Sequence, residues 1–119
     1  SLKKIIKNIN FKNEIHVIHD RIENIAHQYT YRNSFDIGTV RAVSNPSTVA
    51  EYLLPMLNKK GIGILYCGKW GIQDTENLKK ALFILKGKIL KIKNINLPNN
   101  RGERNNIFIS PVNFFSAHE

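Results

Sequence analysis

The stretch FDIGTVRAVSNPSTVAEYLLPML, residues 35–57, decides how the chain folds. With Ser34 it opens as SFDIGTV (34–40), a run of alternating small, apolar and β-branched residues that predicts a strand. Asn45-Pro46 then fits a helix start, Asn as the cap and Pro at the first helical position, where its missing amide proton costs nothing. The helix is expected to continue through STVAEYLLPMLN, with Pro55 bending or ending it and Gly61 closing the segment. Arg41-Ala42 falls between strand and helix. A cation therefore stands at the carboxyl end of a strand.

Working outward, LKKIIKNINF (2–11) carries apolar residues at 2, 5, 6 and 9, a helical stripe with lysines opposite. EIHVIH (14–19) alternates as a strand. DRIENIAHQY (20–29) reads as a turn and short helix, with Asp20 as cap and Glu23 three places on. Downstream, IGILYC (62–67) is apolar enough for a central strand. Asp74 opens a helix to about residue 85, which Gly87 ends. KILKIKNINL (88–97) alternates as a strand with one lysine-bearing face, RNNIFIS (104–110) supplies the last strand, and PNNRGE (98–103) connects them. The order α-β-α-β-α-β-α-β-β predicts an α/β fold with a mostly parallel sheet, right-handed crossovers and an antiparallel C-terminal hairpin. Residues 111–119, ending in SAHE, are expected to fray.

At 119 residues and 42% hydrophobic content, this is one globular domain or a piece of one. The longest apolar runs, such as ALFIL (81–85), fall far short of the roughly 20 residues that span a bilayer. A single cysteine, Cys67, excludes an internal disulfide framework. The reading is a cytoplasmic protein with no membrane partner. A net charge of +9 favours an anionic partner, and residues 79–93 hold six lysines and no acid. The lysine-rich composition is also what A/T-biased codons would produce.

In an open α/β sheet, ligands bind outside the carboxyl ends of the strands. Three segments belong there: HDRIEN, RAVSNPS and CGKWG. Arg41 is thus a candidate ligand contact, or else a surface cation paired with an acid such as Glu51. His16, His19 and His27 lack the spacing and the partners of a metal site. Cys67 has no activating neighbour and reads as a packed thiol. Lys69 and Trp70 suit phosphate and base stacking, although Trp70 could equally cover a helix. Arg101 and Arg104 sit on the expected hairpin, Arg101 within its connection.

FDIGTVRAV…AEYLLPMLNKKGIGILYCGKW, with SLKKIIKNINF and HDRIENI upstream, resembles the small-subunit (16S) ribosomal RNA methyltransferase G family, also called glucose-inhibited division protein B, in its cyanobacterial form. The similarity covers about residues 1–110, with several motifs in the same order. It implies a Rossmann-like class I methyltransferase fold, S-adenosylmethionine as cofactor, and methylation of guanine N7 in small-subunit ribosomal RNA. It further implies that Ile22 and Glu23 border the cofactor's adenine and that Arg41 belongs to the same pocket. The plainer alternatives are a core role for Ile22 and a helix-turn carboxylate for Glu23. Where the family has His after the equivalent of Arg104, this chain has Asn105. The family's first two strands and glycine-rich loop have no counterpart here, so residues 1–119 are expected to be the C-terminal part of one methyltransferase domain. EIHVIH would then lose its neighbouring strand, which implies either a homodimer or larger assembly through the exposed sheet edge, or a rearranged sheet. A non-catalytic basic RNA-binding module, or a truncated remnant, is the alternative to an enzyme.

Overall fold

The computed structural model describes residues 13–28 and 31–112. The elements are β1 (Glu14–Ile18), α1 (His19–Ala26), β2 (Phe35–Val43), α2 (Pro46–Leu53), β3 (Leu57–Cys67), α3 (Ile72–Leu85), β4 (Gly87–Asn96) and β5 (Glu103–Pro111). Short 3-10 turns at Leu54–Met56 and Pro98–Asn100 join two of the pairs. The helix expected over 2–11 lies outside the described residues, as does the tail from 113. Pro111 still pairs with Gly87, and the Val112 amide donates to the Lys86 carbonyl, 2.9 Å. Among the described residues no helix is long and apolar enough to cross a membrane.

The strand order is β1-β2-β3-β5-β4. The first three strands run parallel, and β5 runs antiparallel to both β3 and β4. The α/β class and the closing antiparallel pair are as the sequence predicted. β1 is not left without a neighbour. It pairs directly with β2, from Glu14 against Ile37 to Ile18 against Arg41, and forms one edge of the sheet.

Several boundaries move, each for a local reason. β2 runs on to Val43, so Arg41 lies within the strand. α1 begins at His19 after Ile18, which puts Asp20 in the first turn and not at the cap. Asn45 does cap α2, its Oδ1 accepting from the Thr48 amide at 3.3 Å. The α-helix stops at Leu53, because Pro55 has no amide proton to return to the preceding turn. Gly61 does not end that helix; it lies inside β3, which starts at Leu57. α3 begins at Ile72, and Asp74 sits in its first turn, accepting from the Gly71 amide at 2.8 Å. Lys86, in the left-handed conformation (φ 60°), ends α3, and Gly87 opens β4.

The three α-helices of the described residues pack on one face of the sheet. The core joins Val17, Val40, Leu65 and Ile107 from the strands to Ile22 of α1, Val49 and Leu53 of α2, and Leu78 and Leu82 of α3. Side chains alternate across a strand, so the residues between these project from the other face. Those are His16 on β1, Thr39 and Arg41 on β2, Ile62, Ile64 and Tyr66 on β3, and Arg104, Asn106 and Phe108 on β5.

Glycine allows the closest approaches in this core. A β-carbon at Gly38 would stand 2.8 Å from Leu53 Cδ1, the end of a side chain. At Gly61 it would meet the Phe35 carbonyl oxygen at 2.8 Å and Leu57 Cβ at 2.9 Å, neither of which can swing away. Overpacking a core costs about 1–3 kcal/mol. Gly38→Ala is therefore expected to destabilise within that range and Gly61→Ala by more, as read from urea unfolding midpoints. Equal midpoints for the two variants would contradict this account of the β2–β3 contact.

Candidate functional site

At the carboxyl end of the parallel strands, on the face away from the helices, a cavity of about 370 Å³ is lined by His16, Thr39, Arg41, Tyr66, Arg104 and Asn106. Its walls come from β1, β2, β3 and β5. Arg41 stands two residues before the end of β2, and Tyr66 one before the end of β3. β5 runs the other way, so its start lies beside those ends: Cys67 pairs with Asn105 and Tyr66 with Asn106. Arg104 is thereby delivered to the cavity that holds Arg41. On the cavity floor, His16 Nδ1 and the Thr39 hydroxyl share a 2.6 Å hydrogen bond, which satisfies the buried threonine. His16 Nε2 lies 3.3 Å from the Glu14 carboxylate.

Arg41 is exposed and has no ion-pair partner among the described residues. Glu51, the acid considered for it, belongs to α2 on the opposite face of the sheet. Arg104 donates from Nη1 to the Glu103 carbonyl at 3.0 Å and otherwise faces solvent. The cavity thus presents two guanidinium groups around an aromatic ring, a donor set suited to an anion attached to a planar group.

The other sequence-derived candidates lie elsewhere. Ile22 is 2% exposed and part of the core. Glu23 is exposed on α1 and turned to Tyr52 of α2; its charge first, then desolvation and their hydrogen bond, raise the tyrosine above its ordinary value. Ile22 and Glu23 are on the helix side and Arg41 on the open side, so their side chains do not share the cavity. Trp70 packs against the core and donates from Nε1 to Thr75 Oγ1 at 2.8 Å. Lys69 and Arg101 are exposed. No group of three or more metal-ligating side chains occurs among the described residues.

Two features escaped the sequence reading. Tyr66 enters the site because β3 is flanked by β2 and β5, an order that no local pattern encodes. Asn105, buried at the start of β5, donates from Nδ2 to the Gly68 carbonyl at 2.7 Å and accepts from Asn94 at 3.0 Å. It ties the CGKW loop to both hairpin strands. A buried asparagine flanked by apolar alternation was the available signal.

Residues 2–105 match the family model described as rRNA small subunit methyltransferase G. Ribosomal RNA small subunit methyltransferase G of Prochlorococcus marinus strain MIT 9215 is 60% identical over 114 residues, which cover 96% of this chain and 48% of that protein. Its counterpart in strain MIT 9312 is 61% identical over 113 residues, covering 95% and 48%. The chain spans about half the length of the curated relatives it matches. Among solved structures, a putative methyltransferase from Thermoplasma acidophilum superposes with a TM-score of 0.59 at 8% identity, covering 89% of this chain and 71% of that one. That likeness is one of fold.

Cys67 sits beside the site, 4% exposed, with its thiol directed to the Leu65 carbonyl. Burial first, and the Asp74 carboxylate second, push the thiol from 9.0 up to about 12. The unfolded chain then releases this proton near pH 9 while the folded chain holds it, so stability is intact below pH 9 and falls as pH rises towards 12. Cys67→Ala is expected to make that decline shallower, as read from urea midpoints at pH 8 and pH 10.5. Parallel declines in the two proteins would show that the thiol is not the group responsible.

Proposed function

The chain belongs to the rRNA small subunit methyltransferase G family, and from that membership we propose that it forms the RNA-facing part of an S-adenosylmethionine-dependent guanine-N7 methyltransferase. The observation that carries the reading is the meeting of Arg41 and Arg104 around Tyr66 at the carboxyl ends of the parallel strands. This is where open α/β sheets hold ligands. The volume of about 370 Å³ is at the lower end of the range for small-molecule sites.

When bound, S-adenosylmethionine supplies an electrophilic methyl group: the bond from guanine N7 to carbon forms as the sulfur–carbon bond breaks, and no proton moves. Guanine N7 is already an unprotonated acceptor on the base edge. The protein therefore needs no general base, and holding the two reactants in line can supply about 7–11 kcal/mol of the barrier reduction. The donor set fits the cofactor in part. Arg41 suits its carboxylate. Ile22 is buried in the core and Glu23 is engaged by Tyr52, so the adenine contact that the family resemblance implies for this pair is not made from the cavity that holds Arg41. The complete reaction is proposed for a polypeptide of the relatives' length, working in the cytoplasm on small-subunit ribosomal RNA. Lys69 and Arg101, both exposed, are assigned to peripheral phosphates. A second reading, RNA binding without catalysis, draws on the six lysines and absent acids of residues 79–93. It would give salt-dependent RNA binding with no affinity for the methyl donor.

Titration calorimetry separates the two. S-adenosylmethionine is expected to bind this chain weakly, and a polypeptide extended to the relatives' length at least about tenfold more tightly. In the longer polypeptide Arg41→Ala should weaken binding by about tenfold, the effect of losing one charged hydrogen bond. No binding heat in the longer polypeptide would defeat the methyltransferase assignment.

A further inference from the structure

Tyr66 is 38% exposed, makes no hydrogen bond among the described residues, and lines the same cavity as Arg41 and Arg104. Neighbouring strands are about 4.8 Å apart; β2, which carries Arg41, lies on one side of β3, and β5 on the other, where Asn106 pairs with Tyr66 and Arg104 stands two residues before it. Tyrosine combines a large apolar face with a polar tip and is enriched where one end of a site is apolar and the other wet.

We propose that Tyr66 is the face against which the target guanine lies, with Arg104 holding a phosphate beside it. This rests on the preceding reading that the site receives RNA. The charge change in the reaction makes the assignment. Methyl transfer to N7 turns the neutral base into a cation. A guanidinium directed at that base edge would oppose the transfer, since like charges repel. The electron-rich face of a tyrosine ring attracts a cation and does so more strongly as the charge develops. Tyr66 therefore favours the methylated state over the starting base, which is the differential interaction that lowers a barrier. Arg104 is suited to a group that is anionic throughout, and a phosphate flanking the base meets that condition.

The test is the affinity of the 119-residue chain for guanosine monophosphate and for 7-methylguanosine monophosphate, followed by ligand-observed NMR. The methylated nucleotide is expected to bind about three- to tenfold tighter, the range of a partly exposed cation–π contact. Tyr66→Ala should erase the preference and Tyr66→Phe should keep it, with circular dichroism confirming that each variant folds. Should the alanine variant not fold, Tyr66→Leu takes its place. Arg104→Gln should weaken both nucleotides alike and reduce the salt dependence. Lys79→Gln, at a separate cleft beside Phe83 on the helix side, should change neither. Equal affinity for the two nucleotides, no binding of either, or a preference that survives loss of the ring would overturn the proposal. If this preference holds while the longer polypeptide fails to bind S-adenosylmethionine, the methyl-transfer reading falls and the stacking surface stands. The reverse pattern removes the surface alone.

Discussion

Leu53 lies directly over two glycines. Its Cδ1 and Cδ2 are each 2.8 Å from the positions that β-carbons would take at Gly38 and Gly63, a pair directly opposite each other on β2 and β3. Bare backbone at both places lets α2 settle onto the two central parallel strands without displacing that side chain. That contact closes the β2–α2–β3 crossover and brings Val49, Ala50 and Leu53 into one cluster with Val40 and Leu65. α1 and α3 then flank α2 in a single layer. Among the described residues the main apolar cluster lies on that side of the sheet; the other side buries Ile62 and Ile64 and carries the polar residues at the strand ends.

The same register determines what that other side carries. With Gly38 and Val40 turned to the helices, Thr39 and Arg41 must turn away. A slip of one residue would bring the Arg41 side chain into the apolar layer and put Val40 into water, and an unpaired buried cation is among the costliest groups a protein can hold. The cation at the end of β2 is thus enforced by the packing of its neighbours. It faces a cavity because β3 and β5 continue the alternation, giving Tyr66 and Arg104 the same direction.

The parts of this arrangement that were legible in the sequence are those with local causes. Asn45-Pro46 marked a helix start because capping acts within three residues, and the strand–helix alternation followed from periodicity alone. The helix end at Leu53 was blurred because LLPML keeps an apolar rhythm through a 3-10 turn into β3. Gly61 resembled a helix terminator, yet its reason is the approach of the Phe35 carbonyl, contributed by a different strand. Lys86 takes a left-handed conformation usually left to glycine, and Gly87 beside it drew the prediction one residue along. Family resemblance named Ile22, Glu23 and Arg41, but resemblance orders residues along a chain and does not say which side of a sheet each occupies. The insertion of β5 between β3 and β4 is long-range, and only that insertion sets Arg104 opposite Arg41.

Rigidity and unmet charge are divided between the two sides of the site. On the helix side, Asn105 fixes the Gly68 carbonyl and Thr75 fixes the Trp70 indole, so the loop after β3 is held from two directions. On the open side, Arg41 and Arg104 share a cavity with no acid between them, in a chain already carrying a net charge of +9. Both side chains project from strands whose register is set by the core, so an anion bound in this cavity gains charge-assisted hydrogen bonds without reorganising the strands that carry them. A ligand that binds only the folded chain stabilises it by an amount that grows with its affinity and concentration.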